Sequence, residues 1–345
     1  MAKSPDWVLD QDGDLTLVVG TRPPQTMKVD SRALCRSSSV FSKMLKGPFL
    51  ESRPRSRAWE VKLPEDDPQA LLIIMDIIHN QYKHAPTEPA LYILCRVLSL
   101  SSKYDMAKSL RSMWHAWLEQ AREATGPYET LWGKEAYLFV AFELGDNHLF
   151  GNIATRLAIE CKVNNKGEIL TMNGRSRLVD NEFVKRTNVV GELETYRLRC
   201  LSLMQSACQH ILHSFSEEYT SEEGTKKNHA INNARDALIG YILKQSRKQK
   251  IAGLFLPSLD GLGSTWRIDD LLKKLQIIMD EIPQRTYSRS KLDGCEIREE
   301  INKILPQNFS GLHWHKYYMA RQAEATQTRL TSWEFRLQRV QLRYF

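Results

Sequence analysis

The sequence predicts an α+β domain followed by an all-α region. Strand and helix patterns are mixed up to about Asp105, whereas almost every periodic segment after that residue is helical. Near the start of the chain, two short strand-like runs flank a proline turn, which is typical of a β-hairpin. We therefore divide the chain into a leader at residues 1–13, an α+β domain at 14–124 and a helical C-terminal region at 125–345.

A β-hairpin opens the predicted domain. Leu15–Gly20 is short and β-branched and ends in glycine, which is typical of a strand that is buried on both faces. Pro23-Pro24 supplies the turn, because proline fixes φ and cannot continue a strand ladder. Thr26–Asp30 then alternates between apolar and polar residues, which predicts a second strand with Met27 and Val29 facing the core.

Two short helices are expected after the hairpin. Asp30 or Ser31 can cap the first helix, since both side chains accept hydrogen bonds from free backbone N–H groups. The residues of these helices that we expect to point inward are Leu34, Val40, Phe41, Met44 and Leu45. A third strand is predicted at Trp59–Leu63, and further helices at Pro68–His79 and Leu91–Asp105. The predicted common core contains Leu17, Val19, Leu34, Phe41, Ile74, Ile78 and Leu94.

This order of elements resembles a BTB/POZ domain, with its hairpin, two-helix step, third strand and following helices. Ser102–Asp105 is similar to the Lys-Tyr-Asp-like ending that many members carry on a helix. The C-terminal region resembles that of filamentous-fungal BTB proteins at Gly253-Leu254, Ser264–Ile268 and Asp293–Cys295. The resemblance implies dimerisation through the N-terminal face, or binding to a cullin scaffold as the substrate adaptor of a ubiquitin ligase. The C-terminal helices would then present a client.

Two departures from the family disfavour dimerisation by strand exchange. Only about a dozen residues precede Leu15, whereas dimeric transcription-factor members begin with a long exchanged helix and strand. Val29–Arg32 occupies the place of the usual His-Lys or His-Arg pair. The leading expectation is a protein-interaction scaffold or adaptor. The alternative is a nuclear, transcription-associated regulator that contacts nucleic acid through basic segments, and an enzyme ranks last.

Composition sets broad limits on partners and compartment. The 345 residues include 48 basic and 41 acidic side chains, and the net charge of +7 is a mild bias that permits an acidic partner without requiring one. The six cysteines are scattered and form no CxxC pair, which favours reduced thiols in the cytoplasm or the nucleus. The N-terminus lacks the apolar segment of a signal peptide, and no run has the length of a membrane span.

Amphipathic helices and polar loops make up the rest of the chain. Loops are expected at Asn164–Arg177, which contains glycine, and at Ser214–Asn228, which is charged. The longest predicted helix, Val189–Phe215, is expected to bury Tyr196, Cys200, Leu203, Met204, Ala207, Cys208, Ile211 and Phe215. The other predicted helices are Ala107–Ala124, Lys134–Leu144, Asn147–Cys161, Ala230–Gln245, Ile268–Ile282, Ile297–Leu305 and Arg321–Phe345.

No motif predicts catalysis, a cofactor or a metal. The sequence contains no Gly-rich phosphate loop, no Gly-x-Ser-x-Gly elbow and no HExxH pair. Gly261–Thr265 lacks the lysine of a P-loop and is better explained as a helix cap. Asp10, Asp12 and Asp14 alternate but miss the glycine and glutamate of a calcium loop. A cluster of Cys200, Cys208, His210 and His213 falls on one straight helix, where packing cysteines are favoured over zinc ligands.

Basic segments and the final helix are the candidate interaction elements. Lys244–Lys250 has the charge pattern of a solvated helix face, and its functional alternatives are a localisation signal or a phosphate contact; Arg53–Arg57 is a basic loop. In the final helix, an apolar stripe lies opposite arginines, and the candidate interaction residues are Trp333, Arg336, Leu337, Arg339 and Val340. This stripe docks either against the protein's own helices or into a partner. Nucleic acid is not the expected partner, because no recognisable groove-binding module is visible.

Overall fold

The computed structural model describes residues 5–54, 58–124, 133–216, 225–255 and 266–280. These residues form two compact units, the first ending at Phe150 and the second beginning at Gly151. The first unit combines a small mixed sheet with helices, which confirms the predicted N-terminal α+β region in its broad class. Among the described residues, none of the helices has the length and hydropathy needed to cross a membrane.

The sheet of the first unit has four strands in the order β1-β3-β2-β4. They are β1 (Trp7–Val8), β2 (Leu15–Val19), β3 (Gln25–Val29) and β4 (Glu60–Leu63). The predicted hairpin is present, because β2 and β3 pair antiparallel with Leu17 opposite Met27. Strand β1 pairs parallel with β3, and β4 pairs parallel with β2. Strand β1 lies in the segment that was interpreted as a leader, and its two residues are too few to show a period.

Helices surround this sheet and follow the predicted order. They are α1 (Ser31–Ser37), α2 (Ser39–Lys46), α3 (Pro68–Ile78), α4 (Leu91–Lys103), α5 (Arg111–Glu123) and α6 (Lys134–Leu144). Helix α7 (Asn147–Glu160) contains the division between the two units. A 3₁₀ turn at Ala107–Leu110 replaces the start of the helix predicted from Ala107. Fully buried residues that join the sheet to the helices include Leu17, Val19, Leu34, Phe41, Ile74 and Leu94.

Four predicted burials in this unit are wrong or incomplete. Strand β2 buries one face only, since Thr16 and Val18 are half-buried while their neighbours are buried. Val40 is exposed and Met44 half-buried, because the Ser38 cap sets the phase of α2 so that Phe41 and Leu45, four residues apart, face inward. Ile78 is half-buried at the end of α3, and Ile77 takes the buried position instead.

The Lys-Tyr-Asp ending of α4 connects three separate parts of the first unit. Lys103 Nζ lies 2.6 Å from Asp66 Oδ1, and the Tyr104 hydroxyl donates to the other oxygen of the same buried carboxylate. The Tyr104 ring stacks on Phe41 with 4.5 Å between ring centroids. Asp105 accepts a 2.7 Å hydrogen bond from the Ser39 hydroxyl at the start of α2. These contacts hold α2, α4 and the segment before α3 in one arrangement.

The described part of the second unit is helical. Its helices are α8 (Val184–Thr187), α9 (Val190–Ser216), α10 (Thr225–Lys248) and α11 (Ile268–Asp280). Helix α10 begins inside the predicted loop Ser214–Asn228, because charge does not prevent lysine from being a good helix former. The other predicted loop contains isolated bridges between Val163 and Ile169 and between Leu170 and Arg177. The predicted helices Ile297–Leu305 and Arg321–Phe345 lie outside the described residues.

The buried face of α9 agrees with the predicted stripe from Tyr196 to Ile211 except at Leu203, and the side chain of Phe215 lies outside what the structure describes. Cys200, Met204, Cys208 and Ile211 are buried, whereas Leu203 is exposed. Leu193 and Leu201 are buried as well, so the apolar face turns gradually along the helix. A straight heptad-like stripe cannot follow this turn, since an α-helix has 3.6 residues per turn.

Candidate functional site

A basic cleft lies on the surface of the first unit. Its volume is about 540 Å³. Helix α1 and the end of α2 form one side, and the chain leading into β4 forms the other. The lining residues are Ser31, Arg32, Cys35, Arg36, Leu45, Lys46, Ser52, Arg53 and Trp59. Four of them are cationic and none is acidic.

Two aspartates fix the start of α1, which carries half of the cationic lining. Asp30 is the N-cap, and its carboxylate accepts from the backbone N–H groups of Arg32 and Ala33 at 2.9 and 3.2 Å. Asp14 accepts from both the backbone N–H and the hydroxyl of Ser31, at 2.9 and 3.0 Å. With the helix start fixed in this way, Arg32 and Arg36 project from one face, because residues four apart are neighbours on a helix.

A tight turn after α2 forms the opposite side of the cleft. Gly47 ends the helix, and a Cβ atom there would lie 2.5 Å from the Lys43 carbonyl oxygen, so only glycine fits without displacement. The Ser52 hydroxyl donates back to the Gly47 carbonyl. The turn leaves Phe49 55% and Leu50 96% exposed. An exposed apolar pair therefore stands on the turn that forms one side of the cationic cleft.

Trp59 and Arg53 complete this side. The Trp59 indole N–H donates to the Glu51 carbonyl oxygen at 2.7 Å, which holds the ring against the turn. The Arg53 guanidinium lies 5.7 Å from the centre of the Trp59 ring. One face of the indole is thus covered by a cation from within the chain.

The cations of the cleft are only weakly neutralised. Arg36 lies 3.9 Å from Asp30 and Arg53 lies 3.5 Å from Asp14, and these two arginine side chains are 70% and 68% exposed. Exposed ion pairs of this kind contribute about 0–1 kcal/mol, since water competes for both partners. Arg32 and Lys46 are also exposed, and neither has a carboxylate partner within the part of the chain that the structure describes. The cleft is therefore complementary to an anion.

A second cavity of about 270 Å³ lies between α3 and the connection to α4. Its lining is mostly apolar and includes Leu72, Ile73, Pro86 and Pro89. The connection is held by Trp117 and Gln120 of α5, which donate to the carbonyl oxygens of Pro86 and Pro89 at 3.1 and 3.0 Å. The buried carboxylate of Asp76 accepts from the His84 backbone N–H at 2.6 Å. These hydrogen bonds fix the position of the connection between α3 and α4, and the cavity is the space that remains beneath it.

The candidate metal residues of the sequence are not brought together. Cys200 and Cys208 lie on the buried face of α9, whereas His210 and His213 are exposed. Burial raises the pKa of the Cys200 thiol to about 11 and that of Cys208 to about 12, which keeps both protonated and apolar at neutral pH. Across the described ranges, no group of three or more His, Cys, Asp and Glu residues is arranged to hold a metal ion.

The three N-terminal aspartates have structural contacts instead of a shared ligand. Asp10 accepts from the Asp12 backbone N–H at 2.8 Å, which forms a turn before β2. Asp14 is bound to Ser31 at the start of α1. The alternation that suggested a calcium loop is therefore explained by a turn and a helix-start contact.

Of the remaining candidate interaction residues from the sequence, some are exposed in the structure and others lie outside the residues that it describes. Lys244, Arg247, Lys248 and Lys250 are exposed at and just after the end of α10. The candidate interaction residues Trp333, Arg336, Leu337, Arg339 and Val340 lie outside the described residues, as does Gly261–Thr265. The cleft itself was missed in the sequence. Its one local signal was the four-residue spacing of Arg32 and Arg36, because the opposite side comes from residues that are distant along the chain.

Comparison of the chain with protein-family models, with curated proteins and with solved structures gives no match.

Proposed function

We propose that this chain is a protein-interaction module of BTB/POZ type that acts as a scaffold or adaptor. Its first unit assembles with a second copy or with a cullin scaffold, and its second unit presents a client in the cytoplasm or the nucleus. The order of hairpin, two helices, strand and two helices supports this proposal. So does the Lys-Tyr-Asp ending of α4, which connects α2 and the segment before α3 to that helix.

The observation that carries the proposal is the surface around the basic cleft. It places exposed Phe49 and Leu50 beside exposed arginines, on backbone that is held by Gly47 and Ser52. Aromatic residues and arginine are enriched at protein interfaces, because they combine apolar contact area with directional hydrogen bonds. Arginine binds anions without exchanging protons at neutral pH, so this surface suits binding and not acid–base catalysis.

Strand β1 supports assembly without strand exchange. Its two residues pair with β3, and Leu9 N–H continues the contact by donating to the Lys28 carbonyl oxygen at 2.9 Å. Asp6 adds hydrogen bonds to Thr26 at 2.8 and 2.9 Å. The outer edge of β3 is thereby covered from within the chain. A partner would then dock through side chains on the α1–α2 face.

Sedimentation velocity of the purified full-length chain tests this function. The chain is measured alone from about 1 to 100 μM and then with a purified cullin N-terminal domain. We expect either a concentration-dependent dimer or a complex with the cullin domain. Leu50→Asp should weaken this assembly about tenfold or more, because it places a charge in an apolar contact. Val179→Asp, at an exposed apolar residue of the second unit, is the matched control.

The contradicting outcome is a monomer throughout the concentration range that forms no complex with the cullin domain. If Leu50→Asp and Val179→Asp weaken the assembly equally, the turn after α2 is not part of the interface.

A second function rests on the exposed cations at the end of α10. Lys244, Arg247, Lys248 and Lys250 offer four positive charges to phosphates, as a nuclear regulator in contact with nucleic acid would need. The test is the salt dependence of duplex DNA binding by the full chain. If DNA phosphates contact these residues, the logarithm of the affinity should fall steeply and linearly with the logarithm of the salt concentration. The double variant Arg247→Glu with Lys248→Glu should reduce the magnitude of that slope by about 2. DNA binding that does not change with salt or with this double variant would contradict a nucleic-acid contact at the end of α10.

A further inference from the structure

We propose that the basic cleft of the first unit binds an acidic segment of a partner protein, with aspartate or glutamate side chains at alternate positions. The inference rests on the proposed interaction function and names the chemistry of the partner. It depends on the charge of the lining, on the spacing of the cations and on the apolar surface beside them.

The charge of the lining selects an anion. Arg32 and Lys46 are exposed and have no ion-pair partner among the described residues, and none of the described lining residues is acidic. Arg36 and Arg53 have distant carboxylate partners, at 3.9 and 3.5 Å, which a ligand carboxylate can replace at little cost. Asp14 and Asp30 would remain satisfied after such an exchange, since both already accept backbone N–H groups at the start of α1.

The spacing of the cations fits an extended peptide. Arg32 and Arg36 are four residues apart on α1, which separates them by about 6 Å along the helix axis. Alternate side chains of an extended chain point the same way and are about 6.6 Å apart. Each guanidinium can then take one carboxylate in a two-bond geometry. Arg53 lies on the other side of the cleft and adds charge there, whereas Lys46 at the end of α2 adds charge on the same side as α1.

The aromatic residue in the cleft disfavours nucleic acid as the ligand. Single strands bind on free aromatic faces, where their bases stack. Trp59 is half-buried, one face of its ring is covered by Arg53, and its N–H is bonded to the Glu51 carbonyl oxygen. Leu45 in the lining and exposed Leu50 on the adjoining turn instead offer contacts for the aliphatic parts of a peptide.

Fluorescence anisotropy of the full-length chain with a labelled eight-residue polyglutamate peptide is the first test. We expect saturable binding at low salt, and no binding of the polyglutamine peptide of equal length. Arg32→Glu with Lys46→Glu should reduce the affinity about tenfold or more, because it reverses two charges of the cleft. Lys83→Glu with Lys108→Glu is the matched control, since it makes the same change in net charge at exposed residues outside the cleft.

Cys35 provides a readout at the cleft itself. It is half-exposed, whereas the four other cysteines in the described ranges are buried. Bound polyglutamate should therefore slow alkylation of Cys35, measured by peptide mass spectrometry, and polyglutamine should not. If the reversal variant has a lowered melting temperature, Arg32→Gln with Lys46→Gln replaces it and should give a smaller loss in the same direction.

Three results would overturn the inference. The first is equal peptide affinity in the cleft variant and in the control variant. The second is unchanged Cys35 alkylation at saturating peptide. The third is a single-stranded oligothymidylate of equal length that binds more tightly than polyglutamate and protects Cys35, which would assign the cleft to nucleic acid.

The outcome is separable from that of the proposed function. Assembly in the sedimentation experiment without polyglutamate binding would overturn the acidic-segment inference alone. Protection of Cys35 by self-assembly that saturating polyglutamate does not displace would show that a second copy fills the cleft, which also overturns it. Polyglutamate binding by a chain that never assembles would leave the cleft in place and overturn the adaptor function.

Discussion

The two units of the chain differ in how their polar side chains are used. In the first unit, buried polar groups join segments that are far apart in the sequence: Asp66 binds Lys103 and Tyr104, and Arg122 binds Asp146. In the second unit, the exposed group of Arg177, Glu168 and Asp180 joins residues at most nine positions apart. The long-range polar contact of Arg197, which reaches the Ala158 carbonyl oxygen at 3.3 Å, is an exception there.

The difference shows which unit is suited to hold a binding surface in a fixed shape. Long-range polar contacts specify one arrangement of helices, since each bond is lost when its two segments separate. The basic cleft is built on elements that such contacts hold. In the second unit, Arg197 is buried, and burial lowers its pKa. The packed helices α9, α10 and α11 of that unit each have a buried apolar face, with Met204, Ile242 and Leu271 among its residues.

The largest expected effect comes from the core of the first unit. Phe41 is fully buried and stacks on Tyr104, so Phe41→Ala should lower the free energy of unfolding by about 2–5 kcal/mol through lost transfer energy and a cavity. Leu17→Ala should act in the same range. Val40→Ala, one position along and exposed, should change it by less than about 0.5 kcal/mol. Denaturant unfolding provides the measurement, and equal effects of Phe41→Ala and Val40→Ala would contradict the core assignment.

A smaller effect tests the long-range polar contacts directly. Tyr104→Phe keeps the ring stacked on Phe41 but removes the donor to the buried Asp66 carboxylate. We expect a loss of about 1–3 kcal/mol, because a buried acceptor loses a partner. Tyr92→Phe, at an exposed tyrosine on the same helix, is the control and should have little effect. If the two variants unfold at the same denaturant concentration, these contacts do not distinguish the first unit.

The smallest effect at neutral pH concerns Cys208, a buried thiol of the second unit whose contribution to stability changes only above pH 9. Burial raises the pKa of Cys208 from 9.0 to about 12, so above pH 9 the unfolded chain releases this proton while the folded chain retains it. The stability that the folded state gains from keeping the Cys208 thiol protonated is therefore fully present below pH 9 and is lost as the pH rises towards 12. Cys208→Ala should make the alkaline loss of stability shallower by about 1.4 kcal/mol per pH unit. Cys35→Ala, at a half-exposed thiol, is the control. Identical alkaline slopes in both variants would contradict the burial of Cys208.

Local sequence patterns predicted most of the elements. The bounds of α6 were predicted from apolar periodicity, and in the structure Gly145 adopts the left-handed conformation that ends the helix. Asp30 was one of two predicted caps and takes that role. Errors arose where a distant contact decides, as for β1, which depends on pairing with β3. The phase of α2 depends on the capping hydrogen bond that the Ser38 hydroxyl accepts from the Phe41 backbone N–H, and the same hydroxyl donates to the Tyr104 carbonyl oxygen.

The candidate site was less predictable than the fold. Arg32 and Arg36 have the pattern of any solvated helix face, and Arg53 was assigned to a basic loop. Their common cleft exists because Gly47 allows the chain to turn and β4 pairs with β2, which brings Trp59 opposite α1. Sequence periodicity contains no information on such a convergence, since the residues belong to different elements.

Hydrogen exchange of the full chain, measured by mass spectrometry before and after assembly with a second copy or with the cullin domain, tests the central claim most directly. We predict slower exchange on assembly in α1, α2 and residues 47–54, with α10 unchanged, because the first unit provides the docking surface. Slower exchange confined to α9, α10 or α11, or unchanged exchange in α1 and α2, would contradict the claim that the basic cleft and its turn form the interaction surface.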